Sequence, residues 1–242
     1  MNALTYAVIA ALGNVLGGIA AARGAKLGLR LISMCVAFGA GFMLAVALAE
    51  VLPEAFEQGG KSAALYVLVG YLLVHLTQHT ATEHFHFGEE THEVTHFAGV
   101  SALVGLLLHT FFDGVAIASG FAVSDQLGLL LFLAIVLHKL PEGVTISSLQ
   151  IAGGTKPFRA VGSAGLLGVA TVFGVLLTDS LGFLAVHGLA LSAGVTIYVA
   201  ASNLVPEFQG KSGWVLPLAF FAGAAALFAT KLLLEAMGVN AV

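Results

Sequence analysis

The chain has 242 residues, of which 59% are hydrophobic and 9% charged, with a mean hydropathy of +1.00 and a formal net charge of −4. A soluble domain carries about 25% charged residues, so this composition excludes a water-soluble globular protein and describes an integral membrane one. No surplus of basic residues invites a nucleic-acid partner. A single cysteine, Cys35, excludes a disulfide framework or a cysteine-based zinc site, and fits helix packing.

A helix needs about 20 apolar residues to cross the hydrocarbon. Eight segments meet that need, at about 3–22, 30–52, 62–80, 97–121, 126–151, 160–179, 186–205 and 213–237. No long polar stretch is left over, so the expected fold is one all-α transmembrane domain over 1–242 with eight spans. The first segment could mimic a signal peptide, with small residues at Ala20 to Ala22. However, no basic residue precedes it, while Arg23, Lys26 and Arg30 follow. It therefore reads as a retained span whose N-terminus lies outside the cytosol. With that orientation the inner loops and their flanks hold Arg23, Lys26, Arg30, Lys156, Arg159 and Lys211, and the outer loops hold only Lys61. The asymmetry satisfies the positive-inside rule and places both termini outside.

Between spans three and four lies a histidine-rich cytosolic loop at about 81–96. With its flanks it holds His75, His79, His84, His86, His92 and His96, six of the nine histidines in the chain, beside Glu83, Glu89, Glu90 and Glu93. His75/His79 and His92/His96 are spaced for two-point chelation on a helix. Such a tract reads as metal capture or sensing after release, with a merely solvated loop as the alternative.

Spans four and five carry one phrase twice. Leu108 to Ser119 contains His109 and Asp113; Leu137 to Ser148 contains His138 and Glu142. The two copies align without a gap at an offset of 29. On a helix, a His four residues before a carboxylate puts both on one face. Ionisable groups deep in a bilayer are costly and mark function by default. Two imidazoles and two carboxylates suit Zn²⁺, with Fe²⁺, Mn²⁺ or Cd²⁺ as alternatives. Gly114 and Gly143 follow the carboxylates and are expected to let spans four and five approach. Pro141 is expected to free a backbone carbonyl near the site.

A second echo links Ala40-Gly41 through Pro53-Glu54 to Ala193-Gly194 through Pro206-Glu207, at a constant offset of 153. These copies lie five spans apart and so run in opposite directions, as do the phrases on adjacent spans four and five. The expected architecture is an inverted repeat, spans 1–3 and 6–8, around central spans 4 and 5. Transporters built this way hold substrate near the midplane.

The phrases His-x-x-x-Asp-Gly and His-Lys-x-Pro-Glu-Gly, with eight spans and a His-rich loop between spans three and four, resemble the ZIP (Zrt/Irt-like) metal transporters over nearly the whole chain. The resemblance implies uptake of a divalent transition metal into the cytosol, a homodimer, and a binuclear centre. It implies a first metal position at His109, Asp113, His138 and Glu142, with Met43 of span two as a soft ligand. Members of the family often carry Asn after the span-four His and an acidic residue or Asn after the span-five His. Here those positions are Thr110 and Lys139. A protonated ammonium cannot ligate metal. Lys139 is therefore expected in the place of a second metal, bridged by Asp113 and Glu142, with Asp179 of span six as a further partner or an interfacial residue.

Glu50, one turn before the outer end of span two, is expected to draw metal toward the mouth of the path, and His187 opens span seven on the same side. Asn203, the repeat mate of Glu50, falls near the cytosolic end, where release and interhelical hydrogen bonding are both open to it. Protons compete with metal for these ligands, so transport should be pH-sensitive. The expected mechanism is a carrier in which one bundle moves against the other, in a bilayer that the compact length suggests is a prokaryotic plasma membrane. A membrane-embedded zinc hydrolase is the rival from another class, but His-Glu-x-x-His is absent. A sensor or scaffold with a fixed metal is the third reading.

Overall fold

The computed structural model describes residues 2–24, 29–81, 96–206 and 212–239, and among these it is helical with no strand. The helices are α1 (Ala3–Ala22), α2 (Leu29–Val46), α3 (Leu52–Gly59), α4 (Ala63–Ala81), α5 (His96–Val123), α6 (Asp125–Ala152), α7 (Pro157–Ser180), α8 (Gly182–Tyr198) and α9 (Val215–Ala236). Their starts are encoded locally. Asn2 accepts a hydrogen bond from the Thr5 amide at 3.2 Å to cap α1, and Ser124 accepts from the Leu127 amide at 3.1 Å to cap α6. Pro157 opens α7, where its missing N–H costs nothing.

Among the described residues, seven helical runs are long and apolar enough to cross a membrane. Their outward faces carry large apolar side chains such as Leu12, Val169, Phe221 and Leu232, the last 68% exposed. A soluble monomer does not leave so much apolar surface in water. The chain is an integral membrane protein.

Span two does not end at residue 52 as its sequence suggests. Ala47–Val51 form a π-helical turn that carries α2 directly into α3, and the helix continues to Gly59. Pro53 is accommodated because it falls in the first turn of the new segment, where an amide donor is not needed. The chain breaks at Gly60, whose φ of 55° is costly for a side-chain-bearing residue. A second π turn, Val199–Leu204, extends α8 in the same way.

α1 packs on α6 and α7, α2 on α9, α4 on α8, and α5 on α6, α7 and α8. Backbones meet at these crossings through glycine, and here the expected role of two glycines changes. Gly114 and Gly143 do not bring α5 to α6. A Cβ on Gly114 would strike the carbonyl oxygen of Thr171 on α7, and one on Gly143 would strike that of Asn14 on α1. The glycines that face across from α5 to α6 lie near their junction at Ser124: a Cβ on Gly120 would meet Gly128, and one on Gly128 the Phe121 ring. The crossings are reciprocal: Gly174 meets the Phe111 carbonyl and Gly17 the Leu140 carbonyl. Between α2 and α9, Gly41 meets the carbonyl of Phe220 and Gly223 that of Phe38; between α4 and α8, Gly194 meets Val67 and Gly70 meets Leu191.

Such contacts are the main attraction between helices in lipid. Gly143→Val should therefore destabilise the bundle by about 3 kcal/mol, at the top of the usual range for overpacking. The check is thermal unfolding in detergent, with Gly162→Val, a position with open space around it, expected to be near neutral.

Candidate metal site

α5 and α6 are each 28 residues long, and His109 and His138 are each the fourteenth residue of their helix. At 1.5 Å per residue that is about 20 Å from either end, the middle of a membrane crossing. One turn further along lie Asp113 and Glu142. The four side chains are buried, and one ligand atom from each falls within 4.8 Å of all the others. Among the described residues no other group of three or more His, Cys, Asp or Glu is so arranged.

The geometry centres on one oxygen. Asp113 Oδ2 lies 3.4 Å from His109 Nε2, 3.4 Å from His138 Nε2 and 2.6 Å from Lys139 Nζ. Lys139 also donates to Glu142 Oε2 at 2.8 Å. Thr110 Oγ1 lies 2.8 Å from Glu142 Oε1 and 2.7 Å from the Leu106 carbonyl, with one proton to give. The His138 Nδ1 lies 3.0 Å from the Ala134 carbonyl, which can only accept. That contact puts a proton on Nδ1, so in the neutral ring the Nε2 lone pair faces the carboxylate. His138 Nε2 and His109 Nδ1 are buried without a hydrogen-bond partner.

A buried lone pair turned toward a carboxylate oxygen is unfavourable unless a cation lies between them. The spacing suits that cation. Zn²⁺ binds N and O ligands at about 2.0–2.2 Å, so neighbouring ligands of a tetrahedron stand about 3.4 Å apart. Both His–Asp113 separations have that value. The donor set, two imidazoles and two carboxylates, suits borderline divalent metals.

The remaining sequence-selected residues lie elsewhere. Met43 is fully buried on α2, within the main apolar core. Glu50, in the first π turn, is not a free carboxylate: Lys231 of α9 donates to its Oε1 at 2.8 Å. The sequence reading passed over Lys231, although a lone lysine inside an apolar span is itself a signal. His187 stacks on Tyr66 with ring centroids 3.9 Å apart and abuts Phe183, an aromatic setting. Asn203 is half-buried in the second π turn, next to Ser202, whose hydroxyl pairs with that of Tyr71 at 3.4 Å. His75 sits within α4 against the Tyr198 ring and not in the loop. His84, His86 and His92 lie outside the described residues, as do the side chains of His79, His96 and Asp179.

An apolar helical bundle with two histidines and two carboxylates buried together at its centre defines a membrane protein with a cluster that could hold a metal ion inside the bilayer. Comparison with known proteins identifies the family. The ZIP zinc transporter family model matches residues 96–234, more than half of the chain and the whole of the cluster. The chain belongs to the ZIP zinc transporter family. It is 27% identical over 168 residues to the zinc transporter ZIP9 of Micropogonias undulatus, covering 64% of this chain and 54% of that protein. It is 32% identical over 159 residues to the zinc transporter GufA of Myxococcus xanthus, covering 61% and 63%. Zinc transporter ZIP13 of Pongo abelii is 24% identical over 196 residues, covering 73% and 58%. The chain spans about half the length of the ZIP9 relatives it matches.

Proposed function

We propose that the protein transports a divalent transition metal, Zn²⁺ first and Fe²⁺, Mn²⁺ or Cd²⁺ as the alternatives, across the membrane into the cytosol through His109, Asp113, His138 and Glu142. The observation that carries this reading is the pair of histidine nitrogens held at a tetrahedral edge length from one buried carboxylate oxygen. Uptake of labelled zinc into sealed proteoliposomes tests it, because neither a hydrolase nor a fixed structural metal moves ions across a bilayer.

Met43, Thr110 and Asp179 complete the site in this reading, and Lys139 stands where a second metal would bind. Glu50 and His187 lie toward the outer mouth and Asn203 toward the inner one. The domain is a single eight-span unit with inverted repeats and both termini outside. The 45-residue apolar run Ser33–Thr77 supports two crossings there, since as one helix it would measure about 67 Å against about 30 Å of hydrocarbon. The glycine crossings support the repeat. Gly41 with Phe220 and Gly194 with Val67 become one another on exchanging residues 153 apart, as do Gly70 with Leu191 and Gly223 with Phe38. The two π turns stand in the same relation. A homodimer in a prokaryotic plasma membrane is the assembly and location we propose.

The histidine-rich loop at 81–96 is proposed to take metal after release. Deleting residues 83–93 should slow zinc uptake severalfold without abolishing it, read as initial rates at matched protein density. Complete loss in well-folded protein would move the essential site into the loop.

A further inference from the structure

α1 buries a stripe of Ala7, Ala10, Asn14, Gly17 and Gly18 against the bundle. Four of the five are small; the fifth, Asn14, is polar, 0% exposed, and neither its Oδ1 nor its Nδ2 has a hydrogen-bond partner. A buried carboxamide left unpaired is strongly unfavourable, and in a membrane interior it is retained only for a use. Its surroundings indicate the use. The neighbouring Gly13 faces the Cβ of Lys139, where an added Cβ would lie 3.0 Å away. The Asn14 backbone itself packs on Gly143, next to Glu142, and Gly17 lies on the Leu140 carbonyl. Asn14 is thus bracketed by contacts to the segment that carries Lys139 and Glu142.

Lys139 presents a difficulty for metal binding. Its ammonium holds Asp113 Oδ2, the same oxygen that both histidines face. A dication on that oxygen would share it with the ammonium and repel it at a few ångströms, which favours moving the lysine's hydrogen bond elsewhere, and a buried ammonium cannot give one up without a replacement. Lys139 is fully buried, so water is not the ready substitute.

We propose that Asn14 is a positioning residue of the central site: when a divalent cation takes Asp113 Oδ2, the Lys139 ammonium keeps Glu142 and exchanges Asp113 for the Asn14 carboxamide oxygen. Lys139 is rooted at the α1–α6 seam beside Gly13, the neighbour of Asn14, so the proposed exchange is a rotation of the lysine side chain along that seam. The inference rests on the transport reading above and adds to it a residue on a helix outside the repeated phrase.

The test is a double-mutant cycle on zinc affinity. Zn²⁺ is titrated into the detergent-solubilised full chain, and the same titration of His109→Ala/His138→Ala protein is subtracted to remove binding by the loop. Asn14→Ala should weaken central zinc binding about tenfold or more, the loss of a hydrogen bond to a charged group. In a Lys139→Met background, with no ammonium to rehouse, Asn14→Ala should change affinity less than about twofold. Asn14→Leu, which fills the space without an acceptor, should behave as Asn14→Ala does, and keeps the test intact if one variant fails to fold. Equal losses in both backgrounds, or no loss with Lys139 present, would overturn the exchange while leaving the metal site standing. Wild-type protein with no central zinc binding would instead overturn the functional reading.

Discussion

Replacing His138 or Glu142 with alanine should lower zinc uptake into sealed proteoliposomes at least about a hundredfold, more than the 10–100-fold typical of residues that merely support a ligand. The two losses have different physical causes. Without His138, the site loses the imidazole whose Nδ1 faces a backbone carbonyl, and His109 alone presents a ring nitrogen beside Asp113 Oδ2, which Lys139 still holds. Without Glu142, Lys139 and Thr110 each lose one partner, which leaves Lys139 with Asp113 alone and Thr110 with the Leu106 carbonyl. Because each change also removes a buried polar contact, uptake is normalised to protein that retains the wild-type melting temperature. Wild-type rates in either variant would remove these residues from the path.

The helices were legible because an apolar run of fixed length is the simplest signal a membrane chain carries, and the two phrases because a four-residue spacing survives as a face. What the pattern could not supply was which helix a face meets. Gly114 and Gly143 announce close approach but not its object, and the backbones they admit belong to α7 and α1. The Glu50–Lys231 pair joins residues 181 apart, beyond any local spacing rule. The helix runs on past Pro53 because a π turn precedes it, and a π turn has no reliable sequence mark. Asn14 was visible as a lone amide in an apolar span, yet only its burial without a partner separates it from an ordinary packing residue. Both corrections to the site's surroundings, Lys231 and Asn14, are polar residues in otherwise apolar spans outside the repeated phrase.

Lys139→Asp should raise the number of central metals from one to two. In the wild type the carboxylates of Asp113 and Glu142 share the ammonium, so the cluster carries one net negative charge before metal arrives. One dication bound by His109, His138 and Asp113 turns that to a net charge of plus one. A second dication would then meet a lysine charge only a few ångströms away. Even at an effective dielectric near 20 that repulsion is about 8 kcal/mol at 4 Å, since the ion is doubly charged. No oxygen is gained in return, because an ammonium has no lone pair. Aspartate at this position reverses both facts: it adds a ligand oxygen and changes the cluster charge by two units, from minus one to minus three. Metal analysis of purified protein, with His109→Ala/His138→Ala protein subtracted for binding elsewhere, should give one zinc per chain in the wild type and two in Lys139→Asp. Two central metals with Lys139 intact would mean that the ammonium leaves the carboxylates altogether when the site fills. In that event Lys139 would act as a displaceable plug, not as the permanent occupant of a second metal position.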